Sequence, residues 1–329
     1  MSAEALRFDL KRVVSAWTVL TVLLALAGFV VFAIGQATDF PYESNAESFV
    51  TSLNIFNLLL YSGFNAFRGP AERLLARLLR EADQRQVAIS YRHEAPIGLV
   101  LGFLLLACGL YVVYLVLFDI EGYRQLIRED GVVEYLSALF WFLAAAVLVV
   151  NALKSLKQES GKYSFLFSAL LAAFFVVCGG EEISWGQRLT GHGTPDWLKA
   201  VNVQDETTLH NIGSISVFSN VFFLLTFAFF LVLPYIARRN PRIRNMLDAI
   251  RFPIPHRYAS YVYAGSLAIW IFVGLRFGTL GFHPFTIYAE KYYTQMDDEI
   301  FELLAAFSFF CFSVLHACRT VTVSGARPA

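Results

Sequence analysis

The sequence predicts an all-α integral membrane protein with about eight transmembrane helices. Three observations carry that prediction. Of 329 residues, 57% are hydrophobic and only 16% charged, where a soluble domain carries about a quarter charged residues. Eight apolar runs each approach the roughly 20 residues that a helix needs to cross a bilayer. Lys and Arg then concentrate in alternate connections, as the positive-inside rule requires.

The runs lie at about 13–35, 48–66, 96–118, 132–153, 163–180, 215–236, 258–277 and 299–318. The first follows "MSAEALRFDLKR" and lacks a small-residue cleavage site, so it reads as a retained helix and not a removable signal peptide. The second, "FVTSLNIFNLLLYSGFNAF", carries several polar residues and is the weakest. With both termini cytoplasmic, the inner segments hold 20 of the 26 Lys and Arg. These are Arg7, Lys11 and Arg12, six between Arg68 and Arg92, Lys154, Lys157 and Lys162, six between Arg238 and Arg257, and Arg319 and Arg327. Dropping the second run would place the Arg-rich segment 68–92 outside, so charge supports keeping it. The expected location is the inner (plasma) membrane.

Within the inner segments, "AERLLARLLREADQR" predicts an amphipathic helix at about 71–83. Leu74, Leu75, Leu78 and Leu79 share one face, opposite Arg73, Arg77 and Arg80. Such a helix suits an anionic membrane surface, and it serves equally as a plain orientation signal. Topology accounts for the basic residues, so no nucleic-acid partner is expected. Cys108, Cys178, Cys311 and Cys318 show no framework spacing and read as free thiols. A weak internal repeat aligns "EDGVVEYLSALFWF" (129–142) with "DDEIFELLAAFSFF" (297–310), matching Glu134 to Glu302. It suggests two parallel four-helix halves, 1–153 and 154–329.

The chemistry gathers on the predicted outer face. The loop 179–214 opens "GGEEISWGQR" and is too long, at 36 residues, for a plain connection. If the fifth helix continued past Gly180, a roughly 100-degree step would put Glu181, Ser184 and Arg188 on one face. Glu181 would then pair with Arg188, leaving Glu182 for another partner. Acidic groups at a helix C-terminus face the negative end of its dipole, which argues for specific partners over simple solvation. Glu134 and Glu302 lie about one turn inside their spans, each followed by small residues: Ser137 and Ala138, Ala305 and Ala306. Small residues let helices approach closely, and an ionisable group on such a face marks a functional position.

Glu134, Glu181, Glu182 and Glu302 therefore converge with His210 on one outer surface. His192 and His283 read as loop and turn residues. Clustered Glu and His suit metal-activated hydrolysis or metal-free acid–base chemistry. Glu182 and His210 are the candidate ligands if a divalent metal is the cofactor. No tight ligand spacing such as H-E-x-x-H occurs, Ser184 lacks a nucleophile-elbow context, and there is no phosphate-binding glycine loop.

"EEISWGQR" followed by "NVQDETTLHN" resembles a segment of a group of uncharacterised bacterial multi-pass membrane proteins, over about 35 residues. The resemblance implies a bacterial membrane location and a special role for 181–211, and no reaction. A weaker similarity is to the CAAX-protease and bacteriocin-processing intramembrane glutamate proteases. Glu181–Glu182 and "FSVLH" (312–316) match that family's Glu-Glu and Phe-x-x-x-His elements. Arg188 stands two residues beyond the family's arginine, and the topology places His316 at the opposite membrane surface.

These readings predict a hydrolase or transferase acting on a lipid-linked or membrane-embedded substrate. In it Glu182 is base or ligand, Glu181 and Arg188 an orienting pair, His210 acid or ligand, and Glu134 and Glu302 complete the site. A non-catalytic subunit or assembly partner using loop 179–214 as an interaction surface is the alternative. A transporter is third, and the nearly all-apolar mid-membrane positions speak against it.

Overall fold

The computed structural model describes residues 86–91, 93–128, 131–156, 162–199, 207, 208, 215–277 and 298–324, and isolated positions between Thr18 and Arg73. Six helices among them are long and apolar enough to cross a membrane: α1 (Glu94–Phe118), α2 (Val132–Leu156), α3 (Lys162–Glu182), α4 (Val221–Arg239), α6 (Arg257–Phe277) and α7 (Asp298–Ala317). They match the third to eighth predicted spans. A short amphipathic helix, α5 (Pro241–Ala249), lies between α4 and α6. The molecule is thus a helical, multi-pass membrane protein.

Exposure shows why these helices suit lipid. Leu99 and Phe103 of α1 are each 69% exposed, and Leu110 is 61%. Water would make such a surface costly, whereas a bilayer does not. Several polar groups inside the spans bond within the protein. Asn151 of α2 donates to Ser168 of α3 at 3.0 Å, Ser155 and Ser164 lie 3.0 Å apart, and Thr226 meets the Tyr263 hydroxyl at 2.9 Å.

The chain divides into two compact units. One comprises Met1–Gln86, Ser214–Leu225 and Gly325–Ala329; the other comprises Val87–Gly213 and Thr226–Ser324. In the first unit, the Thr18 and Tyr61 hydroxyls lie 2.9 Å apart, and Asn57 donates to Thr21 at 2.9 Å. Polar residues that weaken the second apolar run thereby find partners on the first. The predicted amphipathic helix 71–83, apart from Arg73, lies outside the described residues.

In the second unit α2 packs closely on both α3 and α7, α7 on α6, and α6 on α1. The buried face of α2 is Ser137, Ala138, Trp141, Ala144, Ala145, Leu148 and Ala152, a helical period of mostly small residues that allows close approach. α7 is buried on all sides through its middle, from Leu304 to Phe309, and forms the centre. Trp141, Phe175, Phe309 and Phe230 make its aromatic core, with ring centroids of Phe309 5.2, 5.0 and 4.8 Å from the other three. Trp141 and Phe309 are equivalent positions in the alignment of 129–142 with 297–310. The two similar segments lie side by side, running the same way and in register.

The second unit has two chemically distinct ends. At the basic end, β1 (Gln86–Tyr91) pairs with β2 (Arg319–Ser324) in a two-stranded sheet. This small sheet is an addition to an otherwise helical architecture. The acidic end holds Glu134, the end of α3 and the start of α7. The four cysteines are free, as the sequence suggested.

Candidate functional site

At the acidic end α3 stops at Glu182, and the chain turns through an elbow. Ser184, Trp185 and Gly186 all take left-handed backbone angles, with φ of 47, 52 and 74°. A left-handed residue cannot continue a right-handed helix. The helix therefore does not run on through Arg188, and Glu181 and Arg188 do not share one helical face. Arg188 lies instead in a separate short helix, Gln187–Thr190.

The elbow explains the paired glycines. A Cβ on Gly179 would sit 3.0 Å from the Phe142 ring, and one on Gly180 would sit 3.0 Å from the Trp185 ring. Gly179 admits Phe142 of α2, and Gly180 lets Trp185 fold back across the helix end. The folded-back indole donates from Nε1 to Glu181 at 2.6 Å. On the other side Trp141 Nε1 donates to Glu182 at 3.2 Å. Each glutamate at this unfavourable dipole end thus has its own indole donor. Sequence reasoning missed Trp141, because its position amid "LFWFL" reads as core packing. It is both: a 2% exposed core residue whose polar edge reaches the site.

Glu302 of α7 lies within electrostatic reach of Glu182, Glu134, Glu299 and Asp298. Cys178 likewise senses Glu181, Glu182 and Glu302. Carboxylates of two other helices, Glu134 of α2 and Glu182 of α3, are thus within electrostatic reach of Glu302 of α7. The small residues beside them, Ser137, Ala138, Ala305 and Ala306, are all buried, which draws α2 and α7 together beneath the carboxylates. After the elbow, Gln187 donates to Thr194 at 2.9 Å and accepts from the Thr207 backbone N–H at 2.7 Å. That pair folds part of the loop back on itself. His192 bonds locally, 2.6 Å from the Thr190 hydroxyl. His210 and His283 lie outside the described residues, as does the Arg188 side chain.

Such a set of carboxylates can share protons and act as acid and base, or can bind a cation. Among the described residues, no three His, Cys, Asp or Glu side chains are placed to hold a metal. The candidate ligand His210 is not among them.

A second polar cluster, unforeseen from the sequence, occupies the basic end. His256 caps the first turn of α6: its carbonyl accepts from Ser260, and its Nδ1 accepts from the Tyr258 N–H at 3.4 Å. Its Nε2 reaches Glu94 of α1 at 2.8 Å, and Arg257 meets the same carboxylate at 2.9 Å. Burial lowers the His256 pKa, opposed by Glu94 and assisted by Arg257 and Arg238. Nearby, Arg319 is buried between Asp248, at 3.7 Å, and the Phe252 carbonyl, at 3.3 Å. Burial raises the Asp248 pKa against the pull of Arg319 and Arg244, and lowers that of Arg319. His316 belongs to this end too. It lies fourteen residues beyond Glu302 on α7, or roughly 21 Å of helix rise from the glutamates.

No family model, curated protein or solved structure matches the chain. The six apolar helices make the chain a helical, multi-pass membrane protein.

Proposed function

We propose that the protein is an inner-membrane enzyme, a hydrolase or transferase, whose acidic end faces away from the cytoplasm and acts on a lipid-linked or membrane-embedded substrate. What supports this reading is that Glu302 of α7 lies within electrostatic reach of Glu134 of α2 and Glu182 of α3, carboxylates of three different helices. Ionisable groups on membrane-spanning helices are costly unless used. Two tryptophans fix the orientation of Glu181 and Glu182, as a catalytic carboxylate requires. Left-handed backbone at Ser184 and Trp185 adds strain of a kind that gathers at functional sites. In this reading Glu182 is the base, Glu302 and Glu134 its partners, Glu181 an orienting group, and Arg188 and His210 come from the loop that follows. Two further spans in 1–86 bring the total to eight, in two parallel halves, with both termini cytoplasmic.

The test compares lipid extracts, by mass spectrometry, from cells overproducing the wild type, Glu182→Gln or His210→Ala. The wild type is expected to deplete one lipid-linked species and accumulate its product, and both folded variants are expected to do neither. Identical extracts from all three, with a stoichiometric protein bound at loop 179–214, would establish the assembly-partner alternative instead.

A further inference from the structure

A groove of about 420 Å³ runs along the lipid-facing seam between α1 and α6. Gly98, Gly102 and Gly109 of α1 and Gly265 of α6 form its floor, with Leu106 and Leu110 on one wall. Tyr258 and Tyr261 line its basic end. From Gly98 to Val113 the lining spans fifteen residues, roughly 22 Å of helix rise. One leaflet of hydrocarbon is about 15 Å thick, so the groove accommodates the full depth of an acyl chain.

The glycines show that this space is not left over from packing. An added Cβ at Gly98 would clash with the Tyr258 ring, and added Cβ atoms at Gly109 and Gly265 would meet Ile269 and Leu105 at 2.7 and 2.8 Å. Close packing accounts for those three. Gly102 is different: among the described residues a Cβ there would meet nothing within 4 Å, and its backbone is ordinary helix. Glycine inside a helix weakens it, and no described neighbour accounts for this one.

Charge at the mouth selects the occupant. The Arg257 guanidinium lies over the Tyr258 ring, 5.1 Å from its centroid, and its side chain is half exposed. Glu94 occupies only part of its donor fork. Arg238 is close enough to act on neighbouring His256. Tyrosines at such a level favour the headgroup boundary. We propose that the α1–α6 groove binds one anionic phospholipid from the leaflet at the basic end, its acyl chain over Gly102 and its phosphate at Arg257. This site is separate from the carboxylates at the acidic end and does not depend on their proposed role.

The test uses the full-length protein, purified in detergent, delipidated, and re-exposed to phosphatidylglycerol or phosphatidylcholine. Native mass spectrometry counts retained lipid, and thermal unfolding reads its effect. The wild type is expected to retain one phosphatidylglycerol, in at least several-fold preference to phosphatidylcholine, and to unfold at higher temperature with it. Gly102→Leu extends into open space; it is expected to fold and lose the lipid, with Gly102→Ala intermediate. Arg257→Gln is expected to keep a lipid while losing the preference for phosphatidylglycerol. Undiminished retention by both Gly102 variants overturns the proposal. So does a wild type that retains no lipid, or a Gly102→Leu variant whose only change is from dimer to monomer, which would make a second copy the occupant.

Discussion

Glu181 and Glu182 are neighbours in the chain, yet each accepts from a different tryptophan, one across the elbow and one from α2. The sequence made the glutamates conspicuous, since charge beside an apolar run stands out. It could not reveal the donors, because an indole serves equally as core or as hydrogen-bonding group, and only the helix packing decides. His256 was hidden for a similar reason. It lies in a proline-broken basic segment, and its capping role exists only once α6 begins at Arg257. That role makes a pH prediction. Nδ1 accepts from the Tyr258 N–H, so protonating it removes a cap and places a cation at the positive end of a helix. The folded pKa lies below the ordinary 6.5, so the unfolded chain binds the proton more readily. Stability from this residue is complete above about pH 6.5 and is lost as pH falls from there toward the folded value. Asp248 acts oppositely: its raised pKa means folding gains stability as pH falls through its folded value. His256→Asn keeps a capping acceptor without titrating. Thermal unfolding in detergent between pH 7.5 and 5 is expected to fall less steeply for this variant than for the wild type. Parallel curves would show that His256 does not control the acid limb.

At the scale of elements, the six described spans were legible because apolar length alone sets them. What apolar length cannot show is how a helix ends. "GGEEISWGQR" carries no proline, and its glycines read as a loose end of helix or the start of a loop. Their actual function is steric, one clearing Phe142 and the other Trp185. The sheet escaped notice too, although "QVAISY" and "RTVTVS" carry β-branched residues in partial alternation. The two strands are far apart in sequence, and no short-range turn signal joins them. The elbow yields a sharp expectation. Gly180→Leu drives the Trp185 ring off the helix end and breaks its bond to Glu181. Overpacking of this kind costs roughly 1–3 kcal/mol, so the variant unfolds several degrees lower, with red-shifted tryptophan emission as Trp185 moves further into water. Unchanged emission and unfolding would mean that the ring is not held there.

For the whole molecule, the decisive feature is the division of chemistry between the two ends of the bundle. Basic side chains, the sheet and the buried Arg319–Asp248 pair share one end, and the gathered carboxylates occupy the other. In the proposed orientation, with the basic end cytoplasmic, the carboxylates lie at the outer face. The alignment of 129–142 with 297–310 foreshadowed part of this arrangement, because equivalent residues placed one glutamate in the first turn of α2 and another in the second turn of α7. That these two helices pack against each other was not legible, since similarity between segments says nothing of their contact. Nor could the sequence show that the end of α3 brings Glu182 within electrostatic reach of Glu302. The central claim is that these three glutamates form one working site. It is tested most directly by the lipid-extract difference for Glu134→Gln, Glu182→Gln and Glu302→Gln, singly and combined, in variants checked for folding. Residues of one site lose function as a unit, so each single variant is expected to abolish most of the difference and the triple variant to be no worse. Three small losses that simply accumulate, or folded variants indistinguishable from the wild type, would contradict it.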